Sequence, residues 1–374
     1  MIAVVGAGLM GAATAWQLAR QGHEVTLIEA HDIGHKSGSS HGSSRIYRRA
    51  YADPLYVRLT GEARELWQEL EHDTGAQLLR LTGGLDFGAG RDPEGIADIL
   101  AAAAVPHELL TAAQAADRWP QFRFDGPVLH HPDAGTVDAD ATVAAAVRRA
   151  AELGARVLTG TRVTGAEILN DGRVALRTDG PTVVADTVVV ASGAWLPQLA
   201  APLGLSAPLP PLQVTQQQVF HYRRRDPETT SWPVFVHADR LNLYGLPSGS
   251  DGGPLPAVKV AQHDEGTPTT ADTRTGIVDP ASRDKVSAWV ERTLPGLDPT
   301  PVAEASCLYT STPDEDFVLD RTGPFVVVSP CSGHGAKFTP LMGAMAADLA
   351  LGRAEPHPRF ALRTARRPVA HQAE

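Results

Sequence analysis

Cysteine is the scarcest resource in this chain. Its 374 residues include only Cys307 and Cys331, too few for a disulfide framework or a cysteine-built zinc site. Lysine is nearly as rare: of 33 basic residues, only Lys36, Lys259, Lys285 and Lys337 are lysine, and arginine supplies the rest. Where arginine is used wherever either cation serves, a retained lysine carries a weak signal of chemistry that arginine cannot replace. No apolar run approaches the ~20 residues of a membrane-spanning helix. Basic residues are outnumbered by acidic ones, giving a net charge of -10, which argues against a nucleic-acid partner. Met1 leads straight into an apolar run without a basic segment or a cleavage site, so a cytoplasmic protein is expected. No metal-ligand cluster stands out, and none is expected.

What is present is an ordinary globular composition, 43% hydrophobic and 20% charged, which excludes disorder. The length fits two domains, or one with insertions. Ile2–Val5 reads as a strand and Ala12 to Gln21 as a helix ended by Gly22. His23 to Glu29 reads as a second strand. Between the first strand and the helix lies Gly6-Ala7-Gly8-Leu9-Met10-Gly11, a G-x-G-x-x-G in strand–turn–helix context. Its first glycine permits the turn, the second lets backbone approach a pyrophosphate, and the third lets helix pack on strand. Glu29, 18 residues beyond Gly11, is placed to accept from ribose hydroxyls. Dinucleotide binding is the expectation. Val188 to Trp195, a buried strand running into the Ser192-Gly193-Ala194-Trp195 turn, favours FAD over NAD.

Further along, helices are expected over 57–70, 94–104, 111–118, 138–153, 282–294 and 340–351. Strands are expected over 83–87, 155–158, 163–169, 174–178, 182–191 and 325–329, and across much of 212–263 with a break at 249–256. The stretch from Arg353 onward is rich in proline and arginine and is expected to drape over the surface. Three segments invite chemistry. Gly38 to Arg49 sets small hydroxyl residues and glycines before Arg45, Arg48 and Arg49, a planar-donor set suited to carboxylate or phosphate. Ala257 to His263 sets a lysine inside an apolar, strand-like run, where alternation leaves both an inward and an outward Lys259 open. Ser332 to Phe338 displays His334 and Lys337 on a glycine-rich turn between strand and helix.

On these residues the chain resembles the monomeric sarcosine oxidase and N-methyltryptophan oxidase family of FAD-dependent amine oxidases. The resemblance runs nearly the whole length. It rests on Gly6 to Gly11 with Glu29, on Gly42-Ser43-Ser44-Arg45-Ile46-Tyr47-Arg48, on Ser192 to Trp195, on Cys307-Leu308-Tyr309-Thr310, and on Ser332 to Phe338. It implies an α/β fold, a Rossmann-type FAD-binding domain (1–80, 138–211 and 300–374) with an inserted mixed-sheet substrate domain (81–137 and 212–299). It implies FAD held by Gly6, Gly8, Gly11, Glu29, Ser43, Ser44, Arg45, Gly193, Trp195, Gly333, Gly335 and Lys337, and covalently by Cys307. Arg48 and Lys337 match the pair that holds a substrate carboxylate, with Tyr244 beside them. Lys259 matches the lysine that meets oxygen, Arg45 an arginine on the flavin face, and His263 and His334 active-site histidines. The implied reaction is oxidation of the C–N bond of an N-methyl or N-alkyl amino acid to an imine, with oxygen reduced to hydrogen peroxide by a monomer. The rivals are an oxidase of a cyclic amino acid or imine, a flavin dehydrogenase with another acceptor, and a non-catalytic FAD-binding protein. Leu243 stands where the family often has an aromatic residue, as does Cys331, and Ser248 to Pro256 is longer and richer in glycine and proline.

Overall fold

The computed structural model describes residues 1–228, 232–263 and 266–362. Two sheets organise them. The first runs Val318–Thr322, Phe325–Ser329, Thr187–Val190, Ile2–Val5, Val25–Ile28, Arg156–Leu158, parallel throughout except for its first pair. Its four central strands are buried at every residue, as strands covered on both faces must be. Val4, Val189 and Val328 face helices Leu9–Arg20, Ala139–Glu152 and Thr339–Ala350. Val5, Val190 and Val327 face the three-stranded sheet of Val163–Ile168, Val174–Thr178 and Val183–Ala185. The expected strand over 182–191 is thus two strands serving different sheets.

The second sheet has nine strands. Thr267–Pro268, Gln213–Arg224, Ala257–Gln262, Asn242–Pro247, Val234–Ala238, Gly84–Phe87, Val128–His131 and Glu108–Leu110 follow one another, and Leu297–Ser311 pairs along Gln213–Arg224. All pairs are antiparallel except Val234–Ala238 with Gly84–Phe87, so the sheet is mixed. Alternation gives it two unlike faces. Phe220, Val258 and Val260 bury against Val286, Trp289 and Val290 of helix Pro280–Thr293. The opposite face carries Val219, His221, Tyr244, Lys259 and Cys307 into a cavity. The α/β class, with a Rossmann-type sheet beside a mixed one, is as the sequence implied.

Two differences have physical reasons. Leu297–Ser311 escaped notice because its first half alternates exposed and half-buried residues instead of presenting an apolar run. The expected boundary at 300 falls inside it. The tail is also better anchored than its composition implied. Phe360 is fully buried against Phe317, and Arg359 ion-pairs with Asp316 at 2.7 Å and with Asp53. Residues 363–374 of that stretch lie outside the described residues.

Candidate active site

Helix Leu9–Arg20 starts at Gly8, which has no side chain to cap it and which lines a cavity of about 380 Å³, while the Leu9 amide donates to Ser40 Oγ at 3.0 Å. Gly6 takes φ +97°, and a Cβ there would lie 2.5 Å from the Ala191 carbonyl oxygen. A Cβ on Gly11 would lie 1.8 Å from the Gly6 carbonyl oxygen. Gly11 therefore packs helix against strand and does not line the cavity. Gly11→Ala should cost roughly 1–3 kcal/mol or more by overpacking, read as a thermal midpoint lowered by several degrees together with reduced FAD content.

Glu29 sits buried at the end of its strand and accepts from the Ala7 amide at 2.7 Å and the His31 amide at 2.9 Å. Gly193 and Trp195 line the same cavity, and the Trp195 indole donates to Asp272 at 2.8 Å. His31 and Thr161 also line it, although their sequence surroundings carry no motif. Two buried polar atoms there, Ser192 Oγ and His31 Nε2, have no partner among the described residues. Buried polar groups are normally satisfied, so this cavity is built for a polar ligand. An adenine dinucleotide fits its glycine-lined helix start and its carboxylate.

A second cavity, about 950 Å³, begins where the segment 39–45 leaves the first: Ser39 and Ser40 line one, His41, Gly42, Ser44 and Arg45 the other. Cys307, Lys259, His263, Tyr244, Arg48, His334 and Lys337 all line it, with Gly333. Strand register explains the gathering. Gln217 pairs Cys307 on one side of Gln213–Arg224, and His221 pairs Lys259 on the other. Both partners share one face of the sheet. Lys259, left open between inward and outward, is only 3% exposed. Its Nζ donates to Asp251 Oδ2 at 2.6 Å and to the Ser44 carbonyl at 3.2 Å. Burial and the Arg45 charge draw its pKa down to about 8, against the pull of Asp251. Cys307 is buried, which raises its thiol pKa, while Arg45 and Lys259 oppose the rise. Arg45 donates to the Ser44, Ser39 and His41 carbonyls, which lock its fork in the wall.

At the far end, Tyr51 organises two cations. The Arg48 guanidinium lies 4.1 Å over its ring and the Lys337 ammonium 5.6 Å. Lys337 donates to the His334 carbonyl at 2.6 Å and Arg48 to the Ala50 carbonyl; neither hydrogen-bonds a carboxylate among the described residues. Burial lowers both pKa values, and the Arg48 charge drives Lys337 further down. Two buried cations that no carboxylate hydrogen-bonds among the described residues, with Asp86 acting on Arg48 only through its charge, form a receptor for an anion. His334 is a brace here. Its Nε2 meets the Glu315 carbonyl at 3.1 Å, so that nitrogen carries the proton, and Nδ1 accepts from the Tyr51 hydroxyl at 3.1 Å. Neither ring nitrogen is left for proton transfer with a substrate. Its pKa, held well below the ordinary range by burial and by Lys337, keeps it neutral.

Some expected residues act indirectly. Ser43 does not line the cavity; its hydroxyl donates to Asp251 Oδ1 at 2.7 Å. Gly335 permits a close turn, since a Cβ there would lie 1.5 Å from the Pro330 carbonyl oxygen. Gly333 lets Tyr309 and His263 close over it. Tyr51 and Asp251 are wall residues that no motif announced, although Tyr51 closely follows Arg48; Tyr309 stands in the Cys307-Leu308-Tyr309-Thr310 run.

Known proteins supply the decisive comparison. A family model described as FAD dependent oxidoreductase matches residues 1–349. This chain belongs to that family. Monomeric sarcosine oxidase of Streptomyces avermitilis is 35% identical over 96% of this chain and 95% of its own length. Human peroxisomal sarcosine oxidase is 33% identical over 93% and 91%. An N-methyl-L-tryptophan oxidase of Yersinia pestis is 29% identical over 94% and 95%. Among solved structures, the open form of NikD, an unusual amino acid oxidase essential for nikkomycin biosynthesis, superposes with a TM-score of 0.85 at 29% identity over 99% of both chains. Among the described residues, no helix is long and apolar enough to cross a membrane, and no group of side chains could hold a metal ion.

Proposed function

We propose that this flavoprotein oxidises the C–N bond of a secondary amino acid, N-methyl or N-alkyl, and passes the electrons to oxygen. The observation that carries the reading is one cavity holding Arg48 and Lys337, which no carboxylate hydrogen-bonds among the described residues, together with Lys259 and Cys307. FAD supplies the two-electron acceptor that the side chains lack. The amine loses two electrons and two protons to become an imine; oxygen gains two of each to become hydrogen peroxide; water then splits the imine into an amine and a carbonyl compound.

The chain's own groups divide the remaining work. Gly6, Gly8 and the start of helix Leu9–Arg20 hold the pyrophosphate, and Glu29 the ribose. Ser44, Arg45, Gly333 and the Cys307 thiol hold the ring system, the thiol covalently. Arg48 and Lys337 clamp the substrate carboxylate and orient the amine. Tyr244 and His263 bound the side-chain end. Lys259 stabilises negative charge developing on oxygen. The parallel-sheet part serves FAD and the mixed sheet the substrate, within one working chain, as the name of the monomeric relatives implies for them.

An anaerobic screen of N-methyl, N-alkyl and cyclic amino acids, followed by flavin absorbance and then by peroxide on admitting air, tests the reading. Bleaching by N-alkyl amino acids with peroxide supports it. Bleaching by cyclic substrates alone would favour an oxidase of a cyclic amino acid or imine. Reduction of a dye without peroxide would make the protein a dehydrogenase, and a flavin that no amine bleaches would make it a binding protein. Lys337→Met removes one charge-assisted contact, worth about 1.5–3 kcal/mol. It should therefore lower kcat/KM by roughly 10–150-fold, mainly through KM. Because it also relieves Arg48 of a buried like charge, the same variant should melt no lower than the parent.

A further inference from the structure

Lys259 has a carboxylate partner that arrives from the loop between strands Asn242–Pro247 and Ala257–Gln262. Asp251 Oδ2 accepts from Nζ at 2.6 Å. Its other oxygen accepts from the Ser43 hydroxyl at 2.7 Å, and its own amide donates to the same hydroxyl at 3.0 Å. The carboxylate is thus held at both oxygens, and the amide bond fixes the hydroxyl that holds one of them, so it cannot swing away from the lysine without also breaking the Ser43 bond. The loop itself is pinned, since Ser248 Oγ lies 2.8 Å from His221 Nδ1 on the neighbouring strand. Gly42 keeps the approach open: a Cβ there would stand 3.1 Å from Asp251 Oδ2 and 3.8 Å from Lys259 Nζ.

The charges around this pair come from several elements. Arg45 on strand Arg45–Tyr47 repels the ammonium, while Cys307 on Leu297–Ser311 acts the other way. His41 and His221 feel the lysine and stay neutral, their pKa values drawn to about 4 by burial first and by the nearby cations after it. Asp140 accepts from the Gly42 amide at 2.9 Å, and Asp138, which caps helix Ala139–Glu152, lies within reach of the Asp251 charge. Of these acids, only Asp251 touches Lys259. A buried lysine next to an arginine should shed its proton readily; one carboxylate offsets that tendency.

We infer that Asp251 is a positioning residue for oxygen reduction: it holds the Lys259 ammonium in its charged form and aims it along the cavity wall at the Ser44 carbonyl. The inference rests on the reading of Lys259 given above. Without Asp251 the lysine keeps its burial and its arginine neighbour but loses its counter-charge. The proton then leaves at lower pH, and the cation is missing when oxygen must be reduced.

The scarcity of lysine makes the test direct. Protein labelled with carbon-13 at the lysine ε-position carries four such signals, and the one missing from Lys259→Met is that of Lys259. In the FAD-loaded wild type this signal should titrate near pH 8. Asp251→Asn should lower the midpoint by about 1–3 pH units, and Asp251→Glu should restore most of the difference. Stopped-flow mixing of the reduced protein with oxygen should show the alkaline fall in rate moving by the same interval, with anaerobic reduction by substrate unchanged. A folded Asp251→Asn protein whose Lys259 midpoint stays in place overturns the inference. So does a midpoint that moves while the oxygen profile does not. If Lys259→Met itself reacts with oxygen at the wild-type rate, the reading of the lysine fails as well, a result recognisable without reference to Asp251.

Discussion

Cys307→Ser should turn a protein that stays yellow after acid precipitation into one that gives up all its colour to the supernatant. The expectation follows from position. Cys307 lies on the cavity face of Leu297–Ser311, opposite Gln217, in the space where the ring system is proposed to lie. Burial raises its thiol pKa, which alone would make it inert. Arg45 and Lys259 both face it and favour the thiolate, the nucleophile that attachment requires. Cys331, the other thiol and only partly buried, accepts from the Thr310 amide at 3.3 Å and has no comparable pair of cations. Cys331→Ser should therefore keep its colour in the pellet. Colour released from the wild type, or retained in Cys307→Ser, would show that the link is absent or lies elsewhere.

Lys259→Met should slow the reaction of the reduced protein with oxygen by about 10²–10³-fold, the usual cost of removing one preorganised stabiliser of developing negative charge. Anaerobic reduction by substrate should change by no more than a few-fold. Methionine keeps the length and bulk of the lysine stem, so the cavity wall survives while the charge and its hydrogen bonds to Asp251 and the Ser44 carbonyl are lost. The same logic fixes the pH dependence of the wild type. The ammonium is present below about pH 8 and lost above it, so oxygen reactivity should fall as pH rises through that value. Equal slowing of both half-reactions would assign Lys259 to substrate binding instead.

Local chemistry made part of this molecule readable before any coordinates. The opening strand, glycine turn and helix follow from steric rules acting within a few residues, and Glu29 falls on the strand end that the motif requires. Helix starts were similarly local: Asp138 caps Ala139–Glu152 by accepting from the Ala141 amide at 2.8 Å. The cavity's motif residues were found because each sits in a short run of unusual composition. The rest depends on register between distant segments. Asp251 reaches Lys259 through a glycine- and proline-rich loop whose composition says only that the chain turns. Leu297–Ser311 is a strand because Gln213–Arg224 pairs with it, and its polar half shows no period of its own. The sequence offers His334 as an active-site histidine on a glycine turn, and only its neighbours Tyr51 and Glu315 show both nitrogens to be engaged.

The central strand Gln213–Arg224 works as a measuring rod. Between Gln217, which sets Cys307, and His221, which sets Lys259, lie three residues, an odd number that returns both thiol and amine to the same side. Adding or deleting a single residue there would rotate one of the two groups toward helix Pro280–Thr293 and bury it in the apolar layer. Relatives of this chain can vary that interval only two residues at a time without parting anchor from cation, whatever happens to the loops around it.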